Sequence, residues 1–334
     1  MKSNWLRITL IIVSILVIAY YLGPRPAKPR YDPILPAVPQ RPTALEQYIA
    51  VKESHHKLKP DNEARIVWFD TLHNKTPYSV VYLHGFSASQ EEGDPVHQAF
   101  AKRYGCNMYL SRLDGHGLDT SEPLLTMTAT GLWRDAKEAL SIGKALGEKV
   151  ILVTCSTGGT LGLKLAATYP NDVFAIINMS PNVAINDDLA FLANNPWGLQ
   201  LAQLVHHGKY RESVPDNPEE DKYWYEKYRL EAVVELQNLI ETTMEPAVFR
   251  SVKQPALNLY YFKDKEHQDQ TVRVSAILDM EKQLGTPPAL KEAVAIPEAG
   301  NHVMGCYLTG KDIPSVEKAI DSFAERKLGL LPVR

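Results

Sequence analysis

Short apolar runs alternate with longer mixed stretches through most of the chain. Residues 64–70, 78–83, 107–113, 149–154, 173–179, 256–262 and 293–297 read as strands, many rich in Val and Ile. Between them, residues 132–146, 160–168, 272–284 and 315–327 read as helices. Thr43-Ala44-Leu45-Glu46 has the form of a capping box and opens a helix to about residue 58. Asp94-Pro95, a cap residue before a proline at the first helical position, starts another helix that runs to residue 103. Continuous runs such as Val150-Ile151-Leu152-Val153 are apolar on both faces of a strand. Strands of that kind, separated by helices, predict an α/β fold: a mostly parallel central sheet with helices on both faces. Residues 182–254 break the alternation with helical, aromatic-rich sequence containing Trp197, Tyr223, Trp224, Tyr225 and Tyr228. They read as an insertion placed to form a helical lid over the carboxyl ends of the strands.

The first 42 residues follow a different pattern. Residues 8–24 carry no charge and are mostly Ile, Leu and Val. As a helix they span about 25 Å, against about 30 Å of hydrocarbon core. Arg7 and Arg25 flank the run, and Trp5, Tyr20 and Tyr21 suit a membrane boundary. Residues 1–23 therefore read as an uncleaved membrane anchor with the catalytic domain exported, periplasmic or extracellular. A signal peptide cleaved before secretion is the alternative, although Ala19-Tyr20-Tyr21-Leu22-Gly23-Pro24 makes a poor cleavage site. Residues 24–42 contain seven prolines in nineteen positions and read as a stiff polyproline spacer. Residues 43–334 form the predicted globular domain.

Composition narrows the function. Apolar residues make up 45% of the 334 and charged residues 22%, as in an ordinary globular protein. The net charge is −3, and residues 1–30 hold five basic groups and no acid, so the rest of the chain is acidic. That balance gives no electrostatic footprint for nucleic acid. Cys106, Cys155 and Cys306 are too few and too scattered for a disulfide framework or thiolate metal cluster. A single Cys106–Cys306 bridge stays open.

The candidate chemistry sits at strand ends. Val153-Thr154-Cys155-Ser156-Thr157-Gly158-Gly159 lies between an apolar strand and a helix. It resembles the Gly-x-Ser-x-Gly nucleophile elbow, with Thr154 in place of the first glycine. Tyr82-Leu83-His84-Gly85-Phe86 and Asp114-Gly115-His116-Gly117 each follow an earlier strand. Together these motifs resemble the α/β-hydrolase family over roughly residues 64–330. Within it they are similar to the branch of monoacylglycerol-lipase-like, lysophospholipase-like and serine-aminopeptidase-like enzymes. The spacing between Asp114 and His116 is one residue shorter than that branch commonly has.

The resemblance implies a Ser–Asp–His triad in that chain order. Ser156 is then the nucleophile and His302, after the last apolar strand, the base. The acid is Asp269, with an apolar residue three positions on, or Asp264, which lies nearer the strand end. The backbone N–H groups of Phe86 and Thr157 are the implied oxyanion hole. His84 reads as a brace for its loop. The expected activity is hydrolysis of carboxylic esters on a small-molecule ester or acyl substrate, without metal or organic cofactor. Two alternatives stay open: a serine aminopeptidase-like enzyme using Glu219, Glu220 or Asp221 to hold an amino terminus, and a non-catalytic module on the same fold.

Overall fold

The strand runs assemble as their two-sided apolar character requires. The computed structural model describes residues 2–215 and 217–333. Its first elements are α1 (Lys2–Tyr21), α2 (Pro42–Ser54), β1 (Arg65–Val67), β2 (Thr76–Leu83), α3 (Val96–Arg103) and β3 (Asn107–Leu110). Next come α4 (Ala129–Leu146), β4 (Gly147–Cys155), α5 (Thr157–Thr168) and β5 (Val173–Met179). The segment that breaks the alternation folds as α6 (Gly198–Val205), β6 (Tyr210–Glu212), β7 (Lys227–Arg229), α7 (Leu230–Thr243) and α8 (Pro246–Ser251). The chain then returns to β8 (Ala256–Tyr260), α9 (Val274–Gln283), β9 (Lys291–Ala295) and α10 (Ile313–Phe323).

Seven strands form one sheet in the order β1-β3-β2-β4-β5-β8-β9. Only β1 runs antiparallel to its neighbour; the other pairs are parallel. Val81 pairs with Leu152, and Leu152 with Ile176, so the centre of the sheet is aliphatic and fully buried. One face packs on α3 and α10 through Val96, Phe100, Val316, Ile320 and Phe323. The other meets α2, α4, α5, α7 and α9 through Leu45, Leu132, Trp133, Leu161, Leu239 and Ile277. The order of strands reverses beside β2 and β4, and ligands of open α/β sheets bind outside the carboxyl ends at such a point.

Two local start signals differ from their sequence reading. The N-cap of α2 is Arg41, without a side-chain cap, and Pro42 takes the first turn. Proline there has no N–H to satisfy, so the Thr43 capping box is not needed. In α3, Pro95 is itself the N-cap.

The N-terminal reading is corrected. Among the described residues no helix is long and apolar enough to cross a membrane. The uncharged part of α1, residues 8–21, spans about 21 Å before the helix stops, well short of about 30 Å of hydrocarbon. The expected transmembrane anchor, the membrane contact through it and the exported location all fall with that finding. Nor does the proline-rich stretch stand free as a spacer. Asn238 Nδ2 donates to Ala27 O at 2.9 Å, Trp133 Nε1 to Asp32 O at 3.0 Å and Tyr169 OH to Pro33 O at 3.0 Å. The reason is chemical: a polyproline backbone makes no internal hydrogen bonds, so its carbonyls are open to side-chain donors. All three cysteines are buried free thiols.

Candidate active site

Ser156 occupies the turn from β4 into α5 with φ 51° and ψ −115°. Positive φ is costly for a residue with a Cβ and persists only where the surroundings enforce it. Here Ser156 N–H donates to Met179 O at 3.1 Å, and Ser156 O accepts from Asn182 N–H at 2.9 Å. Both bonds tie the turn to the end of β5. Thr154, which replaces the motif's first glycine, is fully buried. It fits because Gly162 faces it: a Cβ there would lie 3.0 Å from the Thr154 methyl. Its hydroxyl donates to Asn178 Oδ1 at 2.6 Å.

His302 follows β9, and its Nδ1 lies 2.7 Å from Asp269 Oδ2. Asp269 is 1% exposed, and its Oδ1 accepts the Thr271 and Val272 N–H groups at 2.8 and 3.0 Å. Burial opposes ionisation of Asp269, yet His302 and these two N–H groups outweigh it and hold the carboxyl below its usual range. Burial likewise opposes a charged His302, but Asp269 and the nearby Glu92 hold its imidazole above the ordinary 6.5. Asp264, the other sequence candidate, is on the surface, with its carboxylate 2.9 Å from His267 Nδ1 and far less enclosed. The structure therefore brings Asp269 to His302 and leaves Asp264 in an exposed turn. His302 Nε2 is buried and has no hydrogen-bond partner; it is not bonded to the Ser156 hydroxyl.

The loop after β2 completes the site. His84 is fully buried between Gly85 O, 2.9 Å from its Nδ1, and Leu113 N–H, which donates to its Nε2 at 3.1 Å. His116 braces the same loop by accepting Ser87 N–H on Nε2 at 3.1 Å, a role not apparent in the sequence. Burial depresses both imidazoles, His116 to about 4, so they are neutral braces near pH 7. Among the described residues, the Phe86 and Thr157 N–H groups have no protein partner.

Ser156 and His302 open into a cavity of about 580 Å³. Its walls come largely from the segment between β5 and β8, including Ile185, Leu189, Leu201, Val205, Tyr228 and Leu236. Of the aromatic cluster noted in sequence, Trp224 and Tyr228 line the cavity. Tyr225 is instead packed in the core, and Tyr223 turns its hydroxyl to Asp61 at 3.2 Å. Glu219, Glu220 and Asp221 lie on the 3₁₀ turn Pro218–Lys222 and do not line the cavity. Glu92 does line it, and sequence reasoning passed over it because only a Gln-Glu-Glu run in a loop marks the position.

Known proteins place the chain. A metagenome-derived protein, from work on the lipolytic enzymes LipS and LipT, is 20% identical with TM-score 0.64, covering 80% of this chain and 100% of its own. The monoacylglycerol lipase of Paleococcus ferrophilus is 14% identical with TM-score 0.59, covering 79% and 98% respectively. A soluble variant of monoglyceride lipase from Saccharomyces cerevisiae is 12% identical with TM-score 0.60, covering 79% and 92%. At these identities the likeness establishes the α/β-hydrolase fold. No curated protein sequence gives a significant match. The profile of the hydrolase family described as serine aminopeptidase, S33, matches residues 75–253, more than half of the chain, and the chain belongs to that family.

Proposed function

We propose that this chain is a serine hydrolase that cleaves carboxylic esters with an apolar acyl or alcohol part. The observation that carries the reading is the buried Asp269–His302 pair, whose free Nε2 shares one apolar-walled cavity with Ser156. His302 takes the proton of the Ser156 hydroxyl as the oxygen attacks the ester carbonyl. The Phe86 and Thr157 N–H groups receive the developing oxyanion. His302 then returns the proton to the departing alcohol, leaving an acyl-serine. Water, deprotonated by the same imidazole, releases the acid and restores the hydroxyl. Asp269 keeps the Nδ1–H tautomer and stabilises the imidazolium. No step calls for a metal or an organic cofactor. The peptidase alternative needs a carboxylate in the cavity to meet a free amino terminus; the three acids suited to it by sequence lie outside, and the two acids that line the cavity, Asp187 and Glu92, already accept the Leu189 and Gly85 N–H groups. The non-catalytic alternative leaves the Asp269–His302 pairing without a use.

A fluorophosphonate probe tests the nucleophile, because it reacts only with an activated serine. The full chain takes the label and Ser156→Ala does not, while keeping the wild-type circular dichroism spectrum. A panel of p-nitrophenyl esters of increasing acyl length is turned over faster than amino-acid anilides. Labelling of the alanine variant to the wild-type level, or preference for the anilides, overturns the reading.

A further inference from the structure

A buried carboxyl group that the triad does not use lies behind the nucleophile. Glu92, in the 3₁₀ turn Gln90–Gly93, is 2% exposed. Its Oε2 accepts the Gly85 N–H at 2.5 Å and the Tyr82 hydroxyl at 3.3 Å. Gly85 separates this carboxyl from the nucleophile. A side chain on it would begin 2.5 Å from Glu92 Oε1 and 2.9 Å from Ser156 Cβ. Only glycine lets both groups close on this peptide.

The other polar groups of the loop are also taken. Leu113 N–H donates to His84 Nε2, so His84 carries its proton on Nδ1 and donates it to Gly85 O. His116 likewise carries its proton on Nδ1, donating it to Asp114 O at 2.8 Å and leaving Nε2 to accept Ser87 N–H. Gly85 N–H, Gly85 C=O and Ser87 N–H are thus each bound to a buried side chain. Phe86 N–H, between them, is not. We propose that Glu92 is a positioning residue: with His84 and His116 it clamps the peptides flanking Phe86, leaving that N–H free to meet the oxyanion beside Thr157 N–H. The proposal rests on the reading of Ser156 as nucleophile.

Glu92 has a second effect, through charge. Tyr82 from β2, Cys155 from β4, His302 after β9, and Cys306 face it. Burial keeps the Tyr82 and Cys155 protons on well beyond neutrality and pushes Cys306 up to about 12. Of these groups only Glu92 and His302 change charge near neutrality. Burial pushes Glu92 up to about 7, against the pull of Gly85 N–H, His302 and Tyr82. Once ionised, it joins Asp269 in favouring the protonated imidazole. Removing its charge therefore moves the acid limb of the pH–rate profile to lower pH.

The test compares Glu92→Leu and Glu92→Gln in the full chain, by steady-state kinetics on a p-nitrophenyl ester and by fluorophosphonate labelling. Glutamine keeps an acceptor for Gly85 N–H and loses the charge; leucine loses both. Glu92→Leu lowers kcat by about 10- to 100-fold with KM little changed, less than the 10²–10³-fold cost of deleting an oxyanion donor outright. Glu92→Gln recovers most of that loss and shows an acid limb displaced to lower pH. Wild-type kcat in Glu92→Leu overturns the proposal. So does an unmoved acid limb in Glu92→Gln, which decides the matter if the leucine variant does not fold. Failure of the nucleophile reading looks different: the wild type stays unlabelled, or Ser156→Ala takes label, whatever stands at position 92.

Discussion

Asp269 and Asp264 share a loop, and their surroundings separate them. Asp269 spends both oxygens on buried donors, two backbone N–H groups and His302. Asp264 folds back on its own turn, accepting the N–H groups of Glu266 and His267. Asp269→Asn removes the charge that stabilises the imidazolium and offers an amide that accepts in the wrong sense. We expect kcat to fall on the order of 10⁴-fold, as when a catalytic imidazole is held in the wrong tautomer. Asp264→Asn changes it by less than about threefold, because exposed pairs contribute little. Steady-state kinetics on the two variants checks this, and a larger loss at Asp264 reverses the assignment. The pH dependence has a definite sign. The proposed mechanism needs neutral His302, whose imidazole is held above its ordinary 6.5, so kcat/KM is expected to rise with pH through a midpoint on the alkaline side of that value. In Asp269→Asn the midpoint of the residual activity moves down, since the largest charge raising it is gone.

Elements carry the site by what crosses between them. From Thr154 on β4 a chain of side-chain hydrogen bonds runs through Asn178 on β5 to Asn258 on β8, at 2.6 and 2.8 Å. It ends at Glu281 on α9, 2.6 Å from Asn258 Nδ2. Buried polar groups of this kind are tolerated only as a complete set, each donor meeting an acceptor. Thr154→Val keeps the shape and deletes the first donor, leaving Asn178 Oδ1 unsatisfied. A loss of about 1–3 kcal/mol follows, read as a lower urea midpoint at unchanged slope; wild-type stability in the valine variant sinks this account. The chain also marks where sequence reading reaches its limit. The strands were legible because a two-sided apolar run has few other uses, and the positions of Ser156, His302 and Asp269 could be placed at strand ends because each follows such a run. The partner of Thr154 was not, since Asn178 is one polar residue within a strand and its neighbour Asn258 is eighty positions away. Glu92 and His116 escaped for the same reason: each acts on a backbone group brought near by the fold. The N-terminal helix reads as a membrane span in sequence because apolar composition alone does not show that the helix ends at Tyr21.

At the scale of the whole molecule, residues 24–42 act as a strap across the helices that back the sheet. Arg30 N–H donates to Thr130 Oγ1 at 2.9 Å, and Lys137 Nζ donates to Ile34 O at 2.7 Å, both on α4. Tyr31 packs edge-on against Trp133, lies under Lys164 of α5 at 4.4 Å, and reaches Thr242 of α7 with its hydroxyl at 2.6 Å. The strap thus joins α4, α5 and α7, and α7 in turn lines the cavity through Val233 and Leu236. By contrast, the described side chains of α1 are exposed, and the helix touches the body at Trp197, whose indole N–H donates to Ala19 O at 2.9 Å. The two N-terminal pieces should therefore differ in what their removal does. A chain beginning at residue 24 keeps every strap contact and unfolds near the wild-type temperature. One beginning at residue 43 leaves Trp133 Nε1, the Tyr169 hydroxyl and Asn238 Nδ2 without their acceptors and removes Tyr31 from the Trp133 ring. At about 0.5–1.5 kcal/mol for each hydrogen bond, several kilocalories are at stake, enough to lower Tm by about 5–10 °C in a domain of this size. Differential scanning calorimetry on the two truncated chains decides the matter. Equal Tm values would mean that the strap only lies on the surface, and a drop confined to the shorter chain shows that it belongs to the fold.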